Sequence, residues 1–486
     1  MSQISFEYMP SNWRVPGAYA EFNNDFAIQG LVGQPYTVLL IGQMLSAGTA
    51  TPLEQVQVTT PSQAAPLFGK GSMLADMVER YKLNDQVTKL ICIPVLDNDA
   101  GAAAVKDITF TGPATVAGTL NLYIAGKVLQ VGVSKDDTAE QIATAVAAAI
   151  PASSDYPITA TASADKVSLT AKHKGENGTA IDVRFNYFTG QTFPAGVGAS
   201  VAQKTPGSGN PNISDVISVF GDTWFNVITM PWTDASNLTA LETELTVRFG
   251  PLKAIDGIAI AAHRGNHSAL TTLGQSRNSP HLSIFESSGY PLNPESRAAM
   301  IAAQIAFSAQ NDPARPFQTL GLLGDMAPAP SVRFEDSERN LLLFDGISTC
   351  YTDAGGVVRI ERAVTTYTEN EFGAPDPSYL DLNTLFTLSY LRYSWRARVL
   401  QKFPRFKLGK DGSRGDNVMT PKGMKNEMVA LAGDWADAGL IESVEQFKTD
   451  MQIGIDPNDP NRLNMILPPD LMNQLRIMAA RIDFRL

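Results

Sequence analysis

The sequence is poor in residues that build covalent cross-links and metal sites. It has two cysteines and four histidines in 486 residues. Both cysteines lie in apolar stretches, Cys92 in LICIPV and Cys350 in ISTCYT. Two isolated cysteines exclude the disulfide framework of a small secreted scaffold, so we predict two buried thiols in a reducing compartment.

Long apolar runs are also missing. No run approaches the ~18 consecutive apolar residues of a membrane-spanning helix, and candidates such as YTVLLIG have the length of a strand. The N-terminus MSQISFEYMP has neither the basic nor the apolar segment of a secretory signal. We therefore expect a soluble chain that is made in the cytoplasm and has no membrane partner.

Positive charge is in the minority, with 38 Lys and Arg against 49 Asp and Glu and a net charge of -11. The average field of such a chain repels DNA and RNA, so we expect no nucleic-acid partner. The hydrophobic fraction of 44% is ordinary for a globular protein. At ~150 residues per domain, the length predicts about three domains.

The patterns of common catalytic and metal sites are incomplete. His263 and His267 have the spacing of two metal ligands on one helical face, but Gly265 and Asn266 between them indicate a strand-to-helix turn. We therefore predict a pair of loop histidines. No G-x-S-x-G pattern of a hydrolase nucleophile occurs, and we expect no catalytic residue, metal or cofactor.

Two glycine-containing loops resemble binding loops only in part. LFGKGSM, residues 67–73, places Lys70 before a helix but lacks the upstream glycine and the Ser or Thr after Lys of a phosphate loop. It predicts a helix N-terminus that packs closely. The run from Asp97 to Gly101 begins like a calcium loop, but its twelfth position is Ile108, so we predict a turn.

Strand and helix patterns alternate over much of the chain. Runs such as TKLICIPVL, WFNVITM and GIAIAAH are typical of buried strands, and helical patterns separate them. This alternation predicts a mostly parallel sheet with helices on both faces. Between residues 102 and 204, short alternating runs with Gly, Asn and Asp turns predict a β-rich insertion, with one helix starting near Asp137.

Capping side chains mark two further helix starts, at Ser72 and near Asp234, and a third helix is predicted from about Asn266. A fourth helix is predicted to begin at Pro294 and to run through Met300, Ile301, Ile305 and Phe307.

The resulting organisation has six segments. We predict an N-terminal arm (1–26), the first part of the α/β core (27–101), the inserted β-rich domain (102–204), the second part of the core (205–374), an α+β C-terminal domain (375–476) and a C-terminal arm (477–486).

Both ends of the chain have the composition of docking arms. The first 26 residues are irregular but rich in aromatics, among them Tyr19, Phe22 and Phe26. At the C-terminus, the apolar residues Ile482, Phe484 and Leu486 alternate with charged ones, which is the pattern of an amphipathic strand.

A basic stretch follows the long helical pattern of the C-terminal domain. Between residues 392 and 414 there is one acid, Asp411, and eight bases, of which six form the candidate region: Arg392, Arg396, Arg398, Lys402, Arg405 and Lys407. The spacing predicts Arg392 and Arg396 on one helical face, and Lys402 to Lys407 in an extended piece. The stretch is either a solvated face or a seat for an acidic partner, including the acidic surface of a second copy.

Several stretches in order resemble the contractile tail sheath proteins of Mu-like bacteriophages. They are ISFEYMPSNWRVPGAYAEF, QAAPLFGKGSMLADM, FNVITMPWTDASNLTALE, LLLFDGISTCYTDAGGVVRIERAVTTYTEN and DPSYLDLNTLFTLSYLRYSWRARVLQKFPRFKL. The resemblance spans nearly the whole chain and is weakest in the insertion.

The resemblance implies a structural protein of the virion tail that assembles in the host cytoplasm. Its copies would form a helical stack of hexameric rings around a tail tube, with the baseplate and tail terminator as further partners. Contraction would drive the tube through the host envelope. The α/β core would correspond to the subtilisin-like fold of the family, without protease residues.

The resemblance also gives the two candidate regions a role. The arms would add strands to neighbouring copies, with Phe22, Phe26, Ile482 and Phe484 as anchors, or they cover their own core instead. The basic region would face the tube. The alternatives are a hydrolase of subtilisin-like fold, whose serine, histidine and aspartate meet only in the fold, and another virion component such as a tube or adhesin.

Overall fold

The structure is a computed structural model that describes residues 14–20 and 31–485. The chain divides into two compact units. Among the described residues, the large unit contains 35–390 and 473–485, and the small unit contains 14–20, 31–34 and 391–472.

The regular elements of the large unit follow the predicted alternation. Before the insertion they are β1 (Thr37–Gln43), β2 (Val56–Gln57), α1 (Ala64–Phe68), α2 (Met73–Asn84) and β3 (Lys89–Val95). The next are β4 (Ala103–Thr111), β5 (Gly118–Ile124), β6 (Lys127–Val133), α3 (Ala139–Ala148), β7 (Ile158–Ser163), β8 (Lys166–Lys174), β9 (Val183–Phe185) and β10 (Gly198–Thr205). Then come α4 (Ile213–Ile217), β11 (Val227–Met230), α5 (Ala235–Phe249), β12 (Ile258–His263), α6 (His267–Gln275), β13 (Leu282–Glu286), α7 (Pro294–Asn311), α8 (Asp336–Phe344), β14 (Ile347–Thr352) and β15 (Val358–Arg362).

One mixed sheet of eight strands organises this unit, in the order β15-β14-β13-β12-β11-β1-β3-β2. The six strands from β14 to β3 are parallel, and the edge strands β15 and β2 are antiparallel. The register pairs Val38 with Val227 and Leu40 with Cys92. Nearly every residue of the central strands is buried, as the uninterrupted apolar runs predict.

The two faces of the sheet support separate cores, because successive side chains of a strand point to opposite faces. Val38 and Leu40 pack with α2 and α7 on one face. Leu39 and Ile41 pack on the other face with Trp232 and the apolar side of α5. Six parallel strands with helices on both faces confirm the mixed α/β core.

Helix starts are placed by capping side chains, as predicted. Ser72 Oγ accepts a hydrogen bond from Ala75 N at 3.2 Å, and Asp234 Oδ1 accepts one from Asn237 N at 3.1 Å. Asn266 caps α6 in the same way. The side chain of Phe307 is exposed, because it lies two residues after the buried Ile305 and therefore on the opposite side of α7.

Residues 103–205 form two sheets of their own, β10-β4-β8-β7 and β6-β5-β9, which enclose a separate apolar core with α3. Thr138 caps α3. The two ends of this insertion run side by side, since Ala102 N donates to Ser208 O at 2.8 Å and Ser208 N donates to Ala102 O at 3.0 Å.

Helix α9 (Leu382–Lys402) begins in the large unit and ends in the small one. Lys402 is its last residue, so the prediction that Lys402 lies in an extended piece was wrong. The small unit continues with β16 (Lys407–Leu408), β17 (Val418–Met419), α10 (Pro421–Asp437), β18 (Ile441–Glu442), α11 (Val444–Asp450), β19 (Gln452–Ile455), β20 (Leu463–Ile466) and β21 (Asp470–Leu471). Its core is built around Trp435, whose Nε1 donates to Ser394 Oγ at 2.9 Å.

Both cysteines are buried free thiols, as predicted. Burial raises the pKa of the Cys350 thiol to about 12, so this thiol is unionised at neutral pH. Among the helices of the described ranges, none has the length and apolar character to cross a membrane.

We expect Gly71→Ala to lower the free energy of unfolding by about 1–3 kcal/mol. Gly71 has φ +73°, and an added Cβ would collide with the carbonyl oxygen of Tyr156. Urea unfolding measures the loss. The matched control is Gly132→Ala, where an added Cβ meets no atom within 4 Å. Equal stability of the two variants would contradict the close packing of this helix start.

Candidate assembly surfaces

The C-terminal arm presents apolar side chains to solvent. Residues 472–485 contain no helix or strand, and Ile482 and Phe484 are 86% and 79% exposed. Between them, Asp483 accepts a hydrogen bond from Arg481 Nε at 2.9 Å. The alternating residues 481–485 therefore belong to no strand of this chain, while Leu486 lies outside the described residues.

The N-terminal arm is described only over residues 14–20. Tyr19 is about half exposed, and its hydroxyl donates to Val15 O at 3.3 Å. Phe22 and Phe26 lie outside the described residues.

A two-stranded antiparallel sheet in the small unit was missed by the sequence analysis. β19 pairs with β20 from Gln452↔Ile466 to Ile455↔Leu463. In the part of the chain that the structure describes, this sheet has no third strand, so each strand keeps one open edge. The signal was present in the sequence as two short apolar runs around the turn-rich DPNDPN.

The six residues of the candidate basic region lie on a helix, a turn and a strand. Arg392, Arg396 and Arg398 are on α9, which ends at Lys402. Arg405 lies in the following turn, and Lys407 begins β16. Arg396, Arg405 and Lys407 are exposed, whereas Arg392 and Arg398 are half-buried.

Two of the basic residues are already paired within the small unit. Glu427 on α10 accepts hydrogen bonds from Arg398 and, at 2.7 Å, from Lys402 Nζ, and Asp434 is a second partner of Arg398. Burial by itself would raise the pKa of Glu427, but the hydrogen bonds from Lys402 and Arg398 outweigh it and hold this pKa below its usual value. Arg398 therefore joins α9 to α10 and is a poor contact for an external partner.

The prediction of a pair of loop histidines was wrong, because His263 is the last residue of β12 and His267 is the first residue of α6. His263 Nδ1 is 2.7 Å from Thr233 Oγ1, and His267 Nε2 is 3.1 Å from the backbone oxygen of Glu338. Among the described residues there is no group of three or more His, Cys, Asp or Glu that could hold a metal ion. The predicted turn at residues 97–101 is confirmed, with Asn98 accepting from Ala100 N.

The most deeply buried charges form a structural cluster at the carboxyl end of β13. Arg297 Nε donates to Asp325 at 2.9 Å, both side chains are fully buried, and the guanidinium stacks on the ring of Tyr290. Burial opposes ionisation of Arg297, but Asp325 outweighs this and keeps the pKa above its usual value. Nearby Ser288 donates to Gly265 O. These groups hold one another and present no activated nucleophile.

Two family models match the chain. The model for the phage tail sheath protein central domain matches residues 207–366, and the model for the phage tail sheath C-terminal domain matches residues 374–485. The Mu-like prophage FluMu tail sheath protein of Haemophilus influenzae is 41% identical over 484 residues, which cover 99% of each chain.

Solved structures show the same fold at low identity. A sheath tail protein of Listeria innocua is 12% identical with a TM-score of 0.50, covering 91% of this chain and 93% of its own. A chain of the anti-feeding prophage baseplate is 10% identical with a TM-score of 0.50, covering 97% of this chain and 99% of its own.

We expect Glu427→Gln to lower the free energy of unfolding near pH 7 by about 1 kcal/mol, because it removes the shared partner of Arg398 and Lys402. The lowered pKa of Glu427 means that its contribution is present above the unfolded-state pKa and is lost as the pH falls through the folded-state pKa. The variant should therefore lose less stability than the wild type between pH 7 and pH 4.

Urea unfolding across this pH range makes the measurement. The matched control is Glu445→Gln, because Glu445 is largely exposed and pairs with the exposed Lys448. If the Glu427 variant lost as much stability as the wild type between pH 7 and pH 4, the result would contradict the ion pairs assigned to Glu427.

Proposed function

Because the chain belongs to the phage tail sheath family, we propose that its copies stack as hexameric rings around an inner tail tube and shorten to drive this tube through the host envelope. The full-length likeness to the Haemophilus sheath protein carries the proposal. The homologues are structural proteins and not enzymes, so the protein is a structural component of a phage tail, and the hydrolase alternative has no support.

We propose the partners, the place of assembly and the two packing states of the sheath together with this function. The partners are further copies of the chain, the tail tube protein, the baseplate and the tail terminator, and assembly takes place in the host cytoplasm before the sheath joins the virion. No cofactor takes part. The extended sleeve is a metastable packing, and the contracted one buries more surface between copies.

We also propose that the subunit is organised into the six segments predicted from the sequence. The eight-stranded sheet is the counterpart of the subtilisin-like core, and the insertion at 102–204 is the outward domain. Its support is a separate apolar core and two chain ends held side by side, which let a domain be inserted with little disturbance of the sheet.

The C-terminal arm is proposed to add a strand to a neighbouring copy. Its exposed Ile482 and Phe484 provide the alternating side chains, and the backbone of its described residues, which is in no strand, provides the hydrogen-bonding groups. The open edges of the β19–β20 sheet are suitable acceptors. The N-terminal arm, with Tyr19, Phe22 and Phe26, is proposed to act alongside it. A free strand of this kind is otherwise a liability for aggregation.

We expect a chain that lacks residues 478–486 to fold as a monomer and to form no sleeves. Circular dichroism and gel filtration measure folding and size, and negative-stain electron microscopy at rising concentration, with tail tube protein present, measures assembly. Residues 478–485 are exposed in the isolated chain, so the deletion should leave the core intact.

The matched control is the full-length double variant Arg481→Lys and Asp483→Glu, which keeps the alternation and the charges of the arm. The control and the wild type should both form regularly striated sleeves. Sleeves formed by the truncated chain would contradict the role of the arm, and the absence of sleeves from the wild type would contradict the proposed function.

The basic region is proposed to face the tail tube in the extended state. The exposed Arg396, Arg405 and Lys407 are the best candidates for contact with the tube, because Arg398 and Lys402 are paired with Glu427. Exposed charges make contacts that salt screens, which suits a surface that must release the tube during contraction.

We expect the double variant Arg396→Glu and Arg405→Glu to weaken co-assembly with the tail tube protein on the order of tenfold, because two attractive contacts become repulsive. Co-sedimentation at several salt concentrations measures the effect, which should shrink as salt rises. Lys166→Glu reverses an exposed charge in the inserted domain and is the matched control. Co-assembly equal to the wild type would overturn the assignment.

A further inference from the structure

The C-terminal arm is attached to the large unit over a short stretch at its start. Gln318 Nε2 donates to Leu475 O at 3.3 Å, and Arg476 Nη2 lies 3.0 Å from Asp381 Oδ1. Among the described residues beyond this stretch, Arg481 donates to Asp483, and this hydrogen bond lies within the arm itself. The attachment therefore ends at Arg476.

Burial changes abruptly at the same position. The side chain of Arg476 is 14% exposed, whereas Ile477 next to it is 83% exposed. A long cationic side chain is thus buried while the apolar residue after it faces solvent, which is the reverse of the usual preference. Hydrophobic burial does not explain this order, so the polar contacts hold the start of the arm: the ion pair of Arg476 with Asp381 and the hydrogen bond from Gln318 to Leu475 O.

The carboxylate that receives Arg476 is positioned by a second arginine. Arg362 on β15 donates through Nε to Asp381 Oδ1 at 3.0 Å and through Nη2 to Asp381 Oδ2 at 3.1 Å. Asp381 also forms a backbone bridge with Val364 and directly precedes α9. Asp381 is therefore held by the core before the arm reaches it.

Two guanidinium groups share this one carboxylate. Burial lowers the pKa of Arg476, Asp381 raises it, and the nearby charge of Arg362 lowers it again. The repulsion between the arginines leaves Arg476 only partly compensated, which makes its attachment weaker than that of an isolated buried pair.

We propose that the Asp381–Arg476 ion pair anchors the C-terminal arm to its own subunit, so that strand addition to a neighbour starts at Ile477. The inference rests on the proposed function for the role of the arm, but the anchor itself is a property of the single chain. Residues 477–485, when extended, then reach about 30 Å from the anchor. This length limits how far two connected copies move apart during contraction.

Limited trypsin digestion of the full-length protein tests the anchor. Trypsin cuts after arginine, so the exposed Arg481 should be cut early and the anchored Arg476 late. Mass spectrometry separates the two cuts, because the peptide 477–481 is released only after cleavage at Arg476. Asp381→Asn should speed that cleavage about tenfold relative to the cut after Arg481, since it removes the charged partner.

Asn is a suitable substitute because it retains the shape of Asp and is favoured next to a helix start. The arm-side variant Arg476→Lys keeps the cleavage site and the charge but not the guanidinium geometry, and it changes no core residue; it should also be cut faster. Asp416→Asn, at an exposed aspartate outside the anchor, is the matched control and should be cut as the wild type.

Equal rates after Arg476 and Arg481 in the wild type, or unchanged rates in both anchor variants, would overturn the anchor. The assembly assay is separate. Loss of sleeves on deletion of 478–486 with unchanged cleavage rates would keep the proposed function and reject the anchor. If the truncated chain formed sleeves and the anchor variants were cleaved faster, the anchor would stand and the proposed role of the arm in assembly would be rejected.

Discussion

Parallel strands cannot be joined by tight turns, and the rest of this structure depends on that constraint. Each connection between parallel strands needs a crossover, which returns the chain to the end of the sheet where all these strands begin. The crossovers after β11, β12 and β13 carry helices that cover the sheet. Burial of both faces then requires strands that are apolar along nearly their whole length.

The same constraint explains how a domain is accommodated inside the core. β3 and β11 lie on either side of β1, so the chain between them must cross over β1 in any case. That crossover contains the whole insertion, which folds around its own apolar core. The pairing of residues 102 and 208 closes the insertion at its base. On the sheet, β1 keeps regular parallel pairing with both neighbours, since Val38 pairs with Val227 of β11 and with Leu90 of β3.

Some charged side chains are paired inside the folded chain, and others are exposed and available for contacts with other subunits. Arg297 and Asp325 are fully buried and compensate each other, which commits them to the core. Arg398 and Lys402 are committed to the small unit through Glu427. Arg396, Arg405 and Lys407 stay exposed, and the arm keeps its apolar residues in solvent. The surfaces proposed for assembly are those that the two cores do not use.

The sequence by itself determined the strands of the core, the helix starts and the family. Apolar runs predict buried strands, and caps such as Ser72 and Asp234 act within one helical turn, so both signals are local. Tertiary structure alone decided that Lys402 ends a helix against Glu427 and that Arg476 meets Asp381. These partners are separated along the chain, and only the folded topology brings their charges within bonding distance.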